Sequence, residues 1–357
     1  MGKKYLYLFI IFFLISYSSL AYKALAGLWD SDLIEVLNLD DEGNLTIEKT
    51  ITLSTTAEEI AISPNGIFAF SHSINIHSYS IDNNQNVTYI GDSYEGGVSF
   101  VSITTDLNYL MFFAWPNGNS GLQLYKINDD LSLSSTGSYI PYTSLLHPLY
   151  YKESKFNNTI IANNYEYKEI AIFRRNNDEL IDTGQRIDIT PYNGAGDLVI
   201  TPNGRFAYIS AGLPNATVCC EIFPNGDVTY KGVVNNVATA CIRVTSDSKY
   251  LIMIDSYNSL YKIRSYRIET DGSLTLVCTI DNMELAQAMD ITPDNKFVLV
   301  AWHYTSSTQT LSVFQLYSDG TLEKLDKDQI WSGGFSDIRF IPPYVTSTDD
   351  EIWEMYK

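Results

Sequence analysis

The feature that most constrains this chain is a strand-and-turn phrase that returns at a nearly fixed interval. It reads Ile62-Ser-Pro-Asn-Gly66, Ile103-Thr-Thr-Asp-Leu107, Ile200-Thr-Pro-Asn-Gly204, Val244-Thr-Ser-Asp-Ser248 and Ile291-Thr-Pro-Asp-Asn295. Degenerate copies stand at Tyr151-Lys-Glu-Ser154 and Phe340-Ile-Pro-Pro343. A second marker is a polar turn followed by an aliphatic residue, at Leu45, Val87, Leu131, Leu180, Val228, Leu274 and Leu322. These lie about 42 to 49 residues apart. The stretch Met289 to Leu325 shows the full unit: two apolar strands joined by the phrase, then a loop, then a hairpin turning at Ser318-Asp319-Gly320. Four short strands cannot bury both of their faces alone, so such a unit needs copies of itself on either side.

The order in which the markers start and stop says how the array ends. The chain opens on a hairpin, Leu33 to Leu53, with no phrase before it. It closes on a phrase, Ile338 to Pro342, and one further strand, Glu351 to Tyr356, with no hairpin after them. Each half lacks what the other has, and joining them removes the exposed edges of an open array. The expectation is an all-β, seven-bladed β-propeller whose last blade is closed by the N-terminal hairpin plus C-terminal strands. A repeat of this period makes residues 27–357 one domain despite their number.

The first 26 residues read differently. Gly2-Lys3-Lys4 precedes an apolar run from Tyr5 to Tyr17, and Ser19-Leu20-Ala21 and Ala24-Leu25-Ala26 both fit a small-x-small cleavage pattern. That is the grammar of a secretory signal peptide cleaved after Ala21 or Ala26, with no membrane span after its removal. The expected location is secreted, periplasmic or at the cell surface. The formal net charge is −19, and an acidic surface repels phosphate backbones, so no nucleic-acid partner is expected. Cys219 and Cys220 are adjacent, so on a strand they face opposite ways and do not share one metal. With Cys241 and Cys278 they read by default as small buried thiols, while export leaves a disulfide open and the sequence does not choose among the three complete pairings.

The phrase, followed by a strand, a loop and the Ser312-Val-Phe-Gln-Leu316 hairpin with its Asp319-Gly320-Thr-Leu322 turn, resembles the seven-bladed propellers related to 6-phosphogluconolactonase and the YVTN-type surface-repeat propellers. The resemblance covers essentially residues 27–357. It differs from WD repeats in having no recurrent Gly-His and Trp-Asp pair, and from kelch repeats in having no recurrent Gly-Gly. The lactonase branch tends to carry a His-x-His segment entering one blade and an Asp-Leu-Gly segment ending its second strand. Here the matching stretches are Leu146-His147-Pro148-Leu149 and Ala162-Asn163-Asn164-Tyr165, which keep the first His but have Leu149 and Asn163 at the other two places.

In such a ring the loops entering each inner strand and those leaving each second strand share one face, where variation does not disturb blade packing. The second-strand ends contribute His72, Trp115, Asn163 with Tyr165, Asp255 with Tyr257, and Trp302 with His303 as ligand-binding candidates. The entering loops add Glu58, Glu59, His147, Asp197, Asp290 and Asp337. Trp115 and Trp302 would stack on a sugar, and Asp197, Asp255 and Asp337 would attract a cation. The competing reading is structural: an Asp starting an inner strand bonds amides of the next blade, and a Trp ending a strand packs between blades.

Two functions follow from these residues. The first is an exported, monomeric binding or interaction module that holds a protein, carbohydrate or small-molecule ligand on its loop face. The alternative, implied by the resemblance, is a lactonase-like hydrolase with His147 as general base and Asp197 orienting water or a divalent ion. No organic cofactor and no dedicated metal site is expected, a divalent cation being the one ion that the acidic mouth suits. No Gly-x-Ser-x-Gly elbow, Walker loop, His-Glu-x-x-His helix or Cys-x-x-Cys pair occurs.

Overall fold

The computed structural model describes residues 21–28, 31–53, 59–62, 67–72, 75–81, 87–95, 97–114, 121–141, 148–164, 168–192, 194–212, 215–237, 239–255, 261–283, 285–303, 309–331 and 335–341. Their strands form seven sheets, six of four strands and one of five. The innermost strands are Glu59–Ile62, Val98–Ile103, Pro148–Ser154, Gly194–Ile200, Thr239–Val244, Leu285–Ile291 and Phe335–Phe340. Each packs against the next, and Phe335–Phe340 packs against Glu59–Ile62, so the ring is closed. The protein is an all-β, seven-bladed propeller, as both repeat markers require.

The recurring phrase owes its residues to one turn. In four copies a buried threonine hydroxyl donates to the Asp or Asn two residues on: Thr104 to Asp106 and Thr201 to Asn203 at 2.7 Å, Thr245 to Asp247 at 2.7 Å, Thr292 to Asp294 at 2.9 Å. The same oxygen accepts the amide that opens the second strand, from Tyr109, Phe206, Tyr250 and Phe297 at 2.9 to 3.1 Å. Turn polar groups are thus satisfied without water while the strands on either side stay buried.

Second strands show why the blades must stack. Along Phe297–His303, Phe297, Leu299 and Ala301 enter one core with the closing blade, while Val298, Val300 and Trp302 enter another with the sixth blade. Alternation of side chains sends successive residues to opposite neighbours, so a strand apolar at every position belongs between two blades. The hairpin turns also reach the preceding blade. At Gly320, φ is +86°, and an added Cβ would lie 2.3 Å from the Tyr250 ring, so this position excludes a side chain both by conformation and by space. All four cysteines are free thiols, and Cys219 and Cys220 do point into different cores.

Closure departs from the expected arrangement. The closing blade has the order Phe335–Phe340, Tyr22–Leu28, Leu33–Leu39, Leu45–Thr52, so the amino end supplies three strands and the carboxyl end one. The segment Glu351 to Tyr356 lies outside the described residues. The extra strand comes from sequence assigned to the signal. Ala24 pairs with Phe340 and Leu37, and Ala26 pairs with Ile338 and Glu35. Ala24, Leu25 and Ala26 are at most 1% exposed. Small residues that resemble a peptidase site here allow two blades to approach one strand closely. Among the described residues no helix is long and apolar enough to cross a membrane.

An exported form is therefore expected to begin at Tyr22, read by amino-terminal sequencing. A chain begun at Gly27 lacks most of the second strand of the closing blade. It is expected to aggregate or to melt at least about 10 °C below one begun at Tyr22.

Candidate active site

Two residues before four of the threonines and serines of the phrase, the inner strands present Ser102, Lys152, Arg243 and Asp290, which the alternation of side chains places on a common wall, with Ala61 and Val199 at the matching places of two other blades. Glu59, Asp197, Asp337 and Arg339 join them from neighbouring positions of the inner strands. The ring of blades thus surrounds a cluster of acids and bases.

Three of the acids hold blades together. Asp197 accepts its own following amide, Leu198 N at 2.9 Å, on one oxygen, and Ile242 N of the next blade at 3.0 Å on the other. Asp337 repeats the arrangement with Ile338 N at 2.9 Å and Ile60 N at 3.0 Å. Asp290 accepts Phe340 N at 2.7 Å. These carboxylates replace backbone partners that neighbouring inner strands do not give each other.

Each repeat of the arrangement also holds a guanidinium. Arg243 Nη1 lies 2.6 Å from Asp197 and its Nε 3.8 Å from Asp290, leaving Nη2 without a protein partner among the described residues. Arg339 Nη1 lies 2.7 Å from Asp337 and its Nη2 3.8 Å from Glu59. Lys152 Nζ lies 3.5 Å from the buried Ser102 hydroxyl.

The cluster pushes its members in opposite directions. Burial raises the Asp197 carboxyl, but Arg243 and the Ile242 amide outweigh it, and the group sits below the ordinary carboxylate range. Glu59 is raised, first by burial and then by the Asp337 charge, with Arg339 and Lys152 offsetting only part. Its Oε2 is buried with no hydrogen-bond partner among the described residues, as suits a carboxyl that keeps its proton. Burial, then Arg339, lowers Lys152.

The candidates read from sequence divide. Strand pairing sets Pro148 opposite Asn164 and Tyr150 opposite Asn163, so the two lactonase-like segments lie side by side. Asn163 is fully buried, and its amide donates to Gly196 O at 3.1 Å, next to Asp197. Asp197, proposed to orient water or a metal, instead has both oxygens committed to amides and Arg243. Asp255 stands apart, 3.2 Å from Arg264 Nη2, in a recess of about 410 Å³ lined also by Asn215, Asn236 and Val237 between the fifth and sixth blades. Trp302 does not offer a stacking surface: it is 2% exposed and meets Phe314 edge-on inside the interblade core. His72 and His303 end the strands Ile67–His72 and Phe297–His303. Trp115, His147, Tyr165 and Tyr257 lie outside the described residues, as does Glu58. Lys152, Arg243 and Arg339 were missed, although counting back two residues from each buried Thr or Ser finds the first two. Among the described residues no group of three or more His, Cys, Asp or Glu is placed to hold a metal ion.

A closed seven-bladed ring enclosing an ion-paired Asp and Arg beside the segment after His147 defines a class, and comparison with known proteins narrows it. Residues 21–334 match the family described as Lactonase, 7-bladed beta-propeller, and the chain belongs to that family. A 6-phosphogluconolactonase of Enterobacter sp. (strain 638) is 21% identical over 288 residues, 76% of this chain and 85% of that protein. The periplasmic gluconolactonase of Pseudomonas aeruginosa superposes with a TM-score of 0.74 at 17% identity, covering 90% of this chain and 99% of that one. A protein from Lactobacillus plantarum superposes at 0.73 with 18% identity, covering 90% and 99%. The last two likenesses concern the fold.

The Glu59 carboxyl keeps its proton in the folded chain at pH values where the unfolded chain has lost it. Folded stability is therefore debited as pH rises above the ordinary carboxylate range, and the debit is absent in acid. Glu59→Gln removes it. Melting curves should show the variant several degrees more stable than wild type near pH 8, with the gap closing toward pH 4; a gap independent of pH contradicts the assignment.

Proposed function

We propose that the protein hydrolyses a lactone, most simply a sugar lactone, at the wall of its central channel. The binding module expected first from sequence gives way to this reading because the chain belongs to the lactonase propeller family. The names of its relatives, a 6-phosphogluconolactonase and a periplasmic gluconolactonase, support the same substrate class. The observation that carries the reading is the Asp197 and Arg243 pair, 2.6 Å apart, on inner strands that follow the one His147 leads into.

In this reading Arg243 Nη2 faces the lactone carbonyl and stabilises the negative charge that develops there, a role in which fixed donors in a dry site are most effective. Asp197 acts as a positioning residue: it fixes the guanidinium plane through Nη1 and keeps the other end free. His147, immediately before Pro148, takes the proton of the attacking water. Water adds to the carbonyl carbon, the bond from that carbon to the ring oxygen breaks, and the product is a hydroxy acid. Water is the sole co-reactant. Export to the periplasm or beyond is part of the proposal, supported by the apolar amino-terminal run and by the location in the Pseudomonas aeruginosa neighbour's name.

Ring opening of δ-gluconolactone and its 6-phosphate, followed by proton release, tests the reading. Arg243→Met is expected to lower kcat/KM by about 100- to 1,000-fold. His147→Ala is expected to lower it by about 100-fold or more. Absence of turnover by wild type across a panel of five- and six-membered lactones would return the protein to the binding-module class.

A further inference from the structure

Lys152 is a channel cation to which the mechanism above gives no task, and unlike Arg339 it has no carboxylate partner within 4.0 Å among the described residues. It stands on the inner strand of the fourth blade, half-buried, with the Ser102 hydroxyl 3.5 Å from its Nζ. Among the described residues that is its one polar contact, and no carboxylate comes within 4.0 Å of the amine. Its two companions differ, since Arg243 and Arg339 are each held by an aspartate at 2.6 and 2.7 Å. Lys152 therefore keeps its hydrogens for whatever enters the channel.

The groups that act on it come from five other blades of the ring. Ser102 touches it from the third blade, and the charges of Asp197 on the fifth, Arg243 on the sixth, Arg339 on the closing blade and Glu59 on the second act on it. Tyr150 precedes it on its own strand. The wall puts Lys152 and Arg243 at matching positions, each two residues before a Thr or Ser of the phrase, on strands separated by one blade.

Lactone opening needs such a group. When the bond from carbonyl carbon to ring oxygen breaks, a sugar alcohol leaves as a strongly basic alkoxide unless a proton reaches it in the same step. Resting on the lactonase reading above, we propose that Lys152 is the general acid of ring opening, its Nζ donating a proton to the departing ring oxygen. Water supplies the hydroxyl that bonds to carbonyl carbon, and the base keeps one proton of that water. The electron pair of the broken bond stays on the ring oxygen, which receives the Lys152 proton. The amine is then recharged by the proton the base holds, so the sum is lactone plus water giving hydroxy acid. Burial and the Arg339 charge, which Glu59 and Asp197 only partly offset, make the ammonium a readier donor than a surface lysine.

The test compares two leaving groups. δ-Gluconolactone expels an alkoxide and dihydrocoumarin a phenoxide, which departs without a proton. Lys152→Met is expected to lose about 100-fold or more in kcat/KM on the first and less than about 10-fold on the second. Lys152→Arg is expected to stay deficient on the first, because a guanidinium keeps its proton. Equal losses on both lactones, or recovery by Lys152→Arg, would overturn the acid role and leave the hydrolase reading intact. A wild type that opens neither lactone would overturn the hydrolase reading, and this step with it. Should both variants fail to fold, the wild type alone decides across a series of aryl and alkyl lactones. A shallow dependence of kcat on leaving-group pKa is the expected result, and a steep one contradicts the proposal.

Discussion

A four-stranded sheet that is apolar on both faces has one stable solution, which is to lie between two others like it, and that requirement has no end until the row of sheets becomes a ring. In this protein the ring is made by one strand. Tyr22–Leu28 pairs with Phe335–Phe340 on one side and Leu33–Leu39 on the other, and its residues sit in cores shared with the seventh and second blades. Without it the innermost strand of the closing blade would have no sheet to belong to. That innermost strand also carries Asp337 and Arg339, so the closure and the charged channel rest on the same few residues.

The channel follows from how inner strands meet. Where seven strands converge around an axis, neighbours are too splayed to share a ladder, and some of their amides need other acceptors. Asp197, Asp290 and Asp337 supply them. Once such carboxylates are in place, guanidinium partners balance their charge, Arg243 holding Asp197 below the ordinary carboxylate range, and donors left over on the partners are free to act on a guest. Arg243 is such a case: Nη1 and Nε answer the structural aspartates Asp197 and Asp290, and Nη2 has no protein partner among the described residues. A site is thus obtained from groups that the fold needs for its own cohesion.

Much of this was legible in the sequence because the signals are local. Thr201, Asn203 and the amide of Phe206 form their turn within a span of six residues, so the phrase reports the turn directly, and its period reports the blade. Other features depend on partners far away in sequence. Ala24-Leu25-Ala26 reads equally as a peptidase site or as a strand squeezed between blades, and only the pairing with Ile338 and Phe340 chooses. Trp302 was placed at the mouth because it ends a strand, yet its parity with Val298 and Val300 already assigned it to the interblade core. Lys152 and Arg243 escaped because loop ends were read for chemistry while the alternate positions of the inner strands were not. Asp197, expected from sequence to orient water or an ion, bonds the next blade and Arg243 instead, partners that lie 45 and 46 residues away and leave no local signal.

The claim on which fold and site both depend is that Tyr22–Leu28 is an integral strand of the ring. Native-state hydrogen exchange at the amides of Leu25 and Ala26 measures it without altering a residue. The account predicts protection approaching that of Tyr208 and Ile209, deep in the fifth blade, so that these amides exchange only when the whole ring opens. Exchange at the rate of an unstructured peptide, while Tyr208 and Ile209 remain protected, would contradict it.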